Sequence, residues 1–230
     1  RAVFATLINQ IEGVRLGAMI SHDDNCKKKS GPSASGCSNG AYILQGAKPM
    51  LANDSNGAKQ ALLNKLAAIP VPHGNLAHSY QGKEIYFELF RYLSGQGIYN
   101  GHLGYQDYGN SSTSGNLNDD FPSAAWDSSI ENGGDYLSPI TEGQSCTSLY
   151  AVNLLFQVSN HEDDSDDAIK ANTNQGGMGL SGNNITFPDV ISWTANNDIE
   201  TDIVGEQTLK SYFFSTHVNT KTNGYASAGG

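Results

Sequence analysis

Apolar residues recur three and four positions apart over the first eleven residues, which is the spacing of an amphipathic helix. The stripe runs from Val3 to Ile11, and Gly13 marks the end of the helix. Apolar residues then alternate with other residues from Val14 to Ile20, a pattern typical of a short strand. The first part of the chain is therefore predicted to form a helix, a tight turn and a strand.

Two further amphipathic helices are predicted before the middle of the chain. One has its apolar stripe over residues 58–69, can be capped by Asp54 or Ser55, and is stopped by Pro70. The other has an aromatic-rich stripe over residues 83–93, and a glycine follows it closely. Both stripes indicate helices that pack one face against a core.

The most apolar segment of the chain, Leu149–Val158, is followed by the polar and acidic residues 159–167. A nearly continuous apolar run is typical of a strand that is buried on both faces of a parallel sheet. A helix is predicted near residues 189–196 and another strand over 208–218. Because helices separate the strands, we expect an α/β fold with a mostly parallel sheet and helices on both faces.

Periodicity fades between residues 96 and 145, where Gly, Asn, Ser and Asp dominate. Such a stretch is too long for an ordinary loop, and its aromatic residues favour an ordered insertion on the surface. Tyr99, Tyr105 and Tyr108 are candidates for an interaction surface, because tyrosine gives contact area at low entropic cost. The alternative, that they pin the insertion onto the domain, stays equally open. Residues 1–230 are expected to form one domain that carries this insertion.

The composition is polar without being strongly charged. Charged residues make up 16% of the chain, and the formal net charge is −10. A negative surface repels phosphate groups, which argues against nucleic acid and against anionic lipid as partners. No apolar run approaches the ~20 residues that span a bilayer, so no membrane span is predicted.

Two of the three cysteines, Cys26 and Cys37, flank a short loop rich in Lys, Gly and Ser. We predict that they form a disulfide, which stabilises such a loop by about 3 kcal/mol and indicates an oxidising compartment. A metal site is the weaker alternative, because no His lies at zinc-finger spacing from this pair. Cys146 is left over, either free or paired with a cysteine outside this sequence.

Four stretches, in the same order along the chain, resemble the amino-terminal domain of type IV pilus tip adhesins of the PilY type. The first is QGKEIYFELFRYLSG at residues 81–95, which is similar to an aromatic-rich helix of that family. The second is SNHEDD at 159–164, which follows the apolar strand. The third lies within 198–214, with GEQ before the last predicted strand, and the fourth is GYASAGG at 224–230.

The resemblance implies a von Willebrand A-like, Rossmannoid fold with long insertions. It implies an extracellular module at the tip of a bacterial type IV pilus, which takes part in surface attachment and in pilus assembly. The partners it implies are pilus subunits such as minor pilins, and a host or abiotic surface. In the family pattern the first strand, with its D-x-S-x-S metal motif, would precede Arg1, and the last would follow Gly230. We therefore expect both strands to lie outside this chain.

The remaining positions of the family's metal-dependent adhesion site fall on residues that bind metal poorly. The usual threonine falls near Ser79, and the usual aspartate falls on Asn160, whose neutral amide is a weaker ligand than a carboxylate. Asp163, in the acidic run 162–167, completes the candidate metal site. No cofactor is assigned, and a metal held here would be Mg²⁺ or Ca²⁺. The alternative for the acidic run is a solvated loop or the start of a helix.

The sequence does not predict an enzyme. GCSNG at 36–40 and GMGLSG at 177–182 match the G-x-S-x-G and G-x-G-x-x-G patterns, but neither match follows a predicted strand and opens a predicted helix, as a nucleophile elbow or a phosphate loop does. Cys146 with His161 is the only conceivable Cys/His pair. We expect an adhesion or interaction module. A structural pilus or filament component that contacts other subunits by strand complementation is the alternative. A secreted metal-dependent hydrolase is the third hypothesis, and the sequence offers no paired base and nucleophile for it.

Overall fold

A computed structural model describes residues 2–21, 40–69, 82–102, 126–144, 148–155 and 165–215. These ranges contain five α-helices, six β-strands and three turns of 3-10 helix. The helices are α1 (Ala2–Gln10), α2 (Ala58–Ala68), α3 (Lys83–Leu93), α4 (Asp166–Lys170) and α5 (Phe187–Asn196). The strands are β1 (Arg15–Ser21), β2 (Ala41–Pro49), β3 (Glu131–Asn132), β4 (Asp135–Tyr136), β5 (Leu149–Leu155) and β6 (Leu209–Ser215).

The strands of the described ranges form three sheets of two strands each. Strands β1 and β2 are antiparallel, with Ser21 opposite Ala41, so the chain reverses direction between them. Strands β3 and β4 form a tight hairpin whose two loop residues, Gly133 and Gly134, have positive φ angles, as glycine readily adopts. Strands β5 and β6 are parallel, with Leu149 opposite Leu209. The fold is therefore mixed α/β, with both parallel and antiparallel strands.

Local signals placed the helices well. Helix α3 has the predicted bounds, and α5 begins two residues before the predicted start. Its earlier start follows from a capping box, in which Thr186 and Asp189 satisfy each other's backbone N–H groups. The N-cap residue of α2 is Gly57, so neither Asp54 nor Ser55 holds the predicted cap position. Asp54 still satisfies the helix start, because its carboxylate accepts from the N–H groups of Lys59 and Gln60 at 2.8 and 3.0 Å.

The main hydrophobic core lies where α3 and α5 cover one face of the β5–β6 sheet. Tyr86 of α3 meets Phe187 of α5 edge to face at 5.7 Å, and Phe187 meets Phe213 of β6 at 6.1 Å. Phe90 packs in the same way on Trp193 at 5.2 Å. Such pairs are the geometry that aromatic quadrupoles prefer, so they orient the two helices on the sheet.

A second core joins the first two helices to β2. It is built from the buried side chains of Ile8, Tyr42, Leu44 and Leu62. Of the apolar stripe predicted for α1, only Ile8 is buried, and the remaining large side chains of the helix are exposed. Helix α1 therefore contributes little to the described core.

The prediction that the parallel sheet is buried on both faces is wrong. On the face away from α3 and α5, the side chains of β5 and β6 are between 44% and 66% exposed. These are Tyr150, Val152, Leu154, Tyr212 and Phe214. A continuous apolar run does not reveal how many layers cover a sheet, and here the described helices pack on one side only. The expectation of a mostly parallel sheet also fails for β1 and β2, which are antiparallel.

Truncation of Ile191, which is fully buried in α5, should lower the free energy of unfolding by about 2–5 kcal/mol. The cost arises because the Ile191→Ala variant loses apolar burial and leaves a cavity in the main core. The matched change Val204→Ala, at a residue that is 89% exposed, should cost less than about 0.5 kcal/mol. Urea denaturation measures both, and equal losses would contradict the described core.

Candidate functional site

Most residues that the sequence singled out lie outside the described ranges. This applies to the predicted disulfide, to the candidate metal ligands, to two of the three tyrosines and to the third cysteine. They are Cys26, Cys37, Ser79, Asn160, Asp163, Tyr105, Tyr108 and Cys146. Within the described ranges, no group of three or more His, Cys, Asp or Glu side chains is arranged to hold a metal ion. The predictions for these residues therefore stay predictions.

Tyr99 is the one predicted interaction residue that the structure describes. Its ring meets Phe87 of α3 edge to face at 5.5 Å, and its backbone N–H donates to Glu88 at 3.3 Å. The residue is nevertheless 37% exposed. These contacts attach the start of the insertion to α3, and the residue remains partly exposed.

The outer face of the β5–β6 sheet exposes five large apolar side chains. We call Tyr150, Val152, Leu154, Tyr212 and Phe214 the apolar sheet face. The parallel register places Val152 beside Tyr212 and Leu154 beside Phe214, so the side chains form a contiguous patch. The rings of Tyr150 and Tyr212 stack with their centroids 6.4 Å apart. A contiguous apolar patch of this kind marks a site of interaction, because leaving it in water is unfavourable.

The opposite face of the same sheet packs against the protein interior. Ala151, Leu209 and Ser211 are buried there, and the Tyr86 hydroxyl of α3 hydrogen-bonds to the Ser211 hydroxyl. Burial raises the pKa of Tyr86 above its ordinary value, so the phenol stays protonated. The strands of the apolar sheet face are therefore well packed on their inner side.

A buried carboxylate of α3 holds the insertion in place. Glu88 is fully buried and accepts hydrogen bonds from the Tyr136 hydroxyl at 2.5 Å and from the Asn100 backbone N–H at 2.8 Å. Burial raises the pKa of Glu88 above its usual range, although these hydrogen bonds to its oxygens oppose the rise. Glu88 thus ties two parts of the insertion, near residues 100 and 136, to the same helix.

A second carboxylate, Glu131, lies beside an imidazole. The Nδ1 atom of His102 is 3.0 Å from a carboxylate oxygen of Glu131, and the His102 ring stacks on Trp126 at 3.7 Å. Burial, together with the nearby carboxylates of Glu88 and Asp127, raises the pKa of Glu131 to about 7, although a hydrogen bond from Trp126 opposes the rise. Sequence analysis missed this pair, because no local motif links residues 102 and 131.

Asp127, close to Glu131, shows the opposite behaviour. Burial alone would raise its pKa, but hydrogen bonds from Ser129, from the Gly46 N–H at 3.0 Å and from Lys48 hold the pKa at about 2. The bond to Gly46 fixes β2 against the insertion. The pKa of Asp127 is therefore lower than that of its neighbour Glu131, because the Asp127 carboxylate accepts hydrogen bonds from more donors.

The raised pKa of Glu131 predicts a pH dependence of stability. The folded state binds the proton of the Glu131 carboxyl group more tightly than the unfolded state does. The stabilisation that this proton gives to the folded state is therefore fully present below the unfolded pKa of 4.5. It is lost as the pH rises through about 7. In a His102→Gln background, which removes the imidazole, Glu131→Gln should reduce the fall in unfolding free energy between pH 5 and about pH 7.5.

Urea denaturation at several pH values measures this fall. Glu142→Gln in the same background is the matched control, since Glu142 is exposed, and it should leave the fall unchanged. If the Glu131→Gln chain loses as much stability as its parent over this range, the raised pKa is contradicted.

None of the helices that the structure describes is both long and apolar enough to cross a membrane. Comparison of the chain with models of protein families, with curated proteins and with solved structures found no significant match. The case for a function therefore depends on the residues and contacts of this chain and on the resemblance described above.

Proposed function

We propose that the protein is an extracellular adhesion and interaction module of the von Willebrand A type, associated with the tip of a type IV pilus. The observation that carries the proposal is the apolar sheet face, five large side chains on one side of a parallel strand pair. Soluble proteins rarely leave such a patch open unless a partner covers it. A pilus subunit or an attachment surface is the partner that the resemblance implies.

The order of the elements supports a Rossmannoid arrangement. Strands β5 and β6 are parallel, and helices α4 and α5 lie between them in the sequence. A parallel pair needs a crossover connection of this kind, which is the repeating unit of the von Willebrand A-like fold that the resemblance implies. The low charge and the predicted Cys26–Cys37 disulfide support an extracellular location.

The second candidate function is that of a structural pilus component which contacts other subunits by strand complementation. One observation favours it. Strands β5 and β6 pair only with each other in the described ranges, so each has one backbone edge without a described partner strand. An open strand edge is a template for a strand from another chain. Both functions use the same sheet, one through its face and the other through its edge.

Placing a charge on the apolar sheet face should weaken partner binding without unfolding the protein. Val152 is 66% exposed, so the Val152→Lys variant should fold, yet it would bury an unpaired ammonium at the interface. We expect its affinity for purified minor pilins, or its retention on coated surfaces, to fall by about tenfold or more. Surface plasmon resonance and an adhesion assay measure the two activities separately.

Val204→Lys is the matched control, because it introduces the same charge at a valine that is 89% exposed and outside this face. It should bind within about twofold of the parent chain. A loss restricted to minor pilins would favour the structural role, and a loss restricted to attachment surfaces would favour adhesion. Equal binding by both variants in both assays would refute a role for this face.

A further inference from the structure

Lys83 and Asp166 form an ion pair in the interior of the protein. Lys83, the first residue of α3, has no exposed area, and Asp166, the first residue of α4, is 6% exposed. The Lys83 ammonium donates a hydrogen bond to Oδ1 of Asp166. Lysine is almost never fully buried unless it is paired, and replacing a buried ion pair by apolar residues is often neutral or stabilising. Stability of the fold alone is therefore a weak reason for this pair.

Within the described residues, the Lys83 ammonium has fewer hydrogen-bond acceptors than N–H donors. An ammonium has three N–H donors, and Lys83 has two acceptors in the described structure, Asp166 and the Ile185 carbonyl at 2.9 Å. The other oxygen of Asp166, Oδ2, faces the Ile185 backbone N–H at 3.2 Å and the Lys170 ammonium at 3.6 Å. An amide has one N–H and one carbonyl oxygen, and the backbone of Ile185 supplies a partner for each.

We propose that Lys83 and Asp166 react with each other to form an intramolecular amide bond, so that the pair is the site of a covalent cross-link. A proton moves along the existing hydrogen bond from Nζ to Oδ1, which gives a neutral amine and a carboxylic acid. The lone pair of Nζ attacks Cγ, so a C–N bond forms. The C–Oδ1 bond then breaks, and Oδ1 leaves as water with two protons from the original ammonium. Atoms and charge balance without an oxidant or another reactant.

The surroundings of the pair favour this condensation. During the attack, negative charge develops on Oδ2, and the Ile185 N–H and the Lys170 ammonium both face that oxygen. Fixed donors aimed at a developing oxyanion lower the barrier. The two reacting groups are also held in contact by the fold, which replaces an encounter in solution. Burial excludes bulk water, which would favour the reverse hydrolysis.

The cross-link would join two residues that are 83 positions apart, and it would enclose the insertion and β5. Closing so long a loop restricts the unfolded chain and stabilises the folded state. It would also keep α3 and α4 connected when the chain is pulled. This inference does not depend on the proposed adhesion function.

Mass spectrometry of the denatured, thiol-reduced protein tests the proposal directly. The intact mass should lie below the sequence mass by the mass of one water molecule. Tryptic digestion should yield one branched peptide that joins Lys83 to Asp166, with no cleavage after Lys83. A chain of full sequence mass, with a Lys83 amine that can be acetylated after denaturation, would overturn the proposal. Because the protein is measured unfolded, the result does not depend on how any variant folds.

Three variants identify the reacting atoms. Lys83→Met and Asp166→Ala should each restore the full sequence mass of the variant. Asp166→Asn should lose ammonia instead of water, because the leaving group changes from oxygen to nitrogen. Lys210→Met, at an exposed lysine of β6, is the matched control and should keep the deficit of one water molecule. A deficit that persists in Lys83→Met would place the dehydration elsewhere and refute the assignment.

Discussion

The near-complete burial of helix α3 is the constraint on which the rest of the structure depends. Eight of its eleven residues are buried, and three of these, Lys83, Glu84 and Glu88, have ionisable side chains. Its aromatic residues pack against α5, while the Tyr92 hydroxyl accepts from the Ala47 N–H of β2 at 2.9 Å. Buried charges must be satisfied, and their partners come from distant segments such as Asp166. One helix thus joins the antiparallel pair, the parallel pair and the insertion.

The same constraint explains why a candidate interaction surface exists. Helices α3 and α5 occupy one face of the β5–β6 sheet, and no described element covers the apolar side chains on the other face. The inner face of the sheet packs against these helices, which holds the strands in place from within. A preformed apolar surface loses little conformational entropy on binding, which suits attachment to another subunit or to a surface.

Features encoded by neighbouring residues could be predicted from the sequence, and pairings between distant residues could not. The bounds of α3 follow from its aromatic stripe, and Asp54 accepts from the start of α2 without holding the cap position. The exposed face of β5 could not be predicted, because both faces of the strand carry apolar residues and the sequence does not indicate which face other elements cover. No periodic pattern in the sequence indicates the pairs Lys83–Asp166 and His102–Glu131, since only the tertiary fold brings their members together.

The openness of the apolar sheet face is the central claim, and hydroxyl-radical footprinting of the isolated native chain tests it most directly. Tyr150 and Tyr212 on the open face should be oxidised rapidly, whereas Tyr86, which is buried on the inner face of the same sheet, should be protected. Comparing tyrosines with one another removes differences in intrinsic reactivity. Protection of Tyr150 and Tyr212 equal to that of Tyr86 would mean that the chain covers this face itself, and would contradict the account.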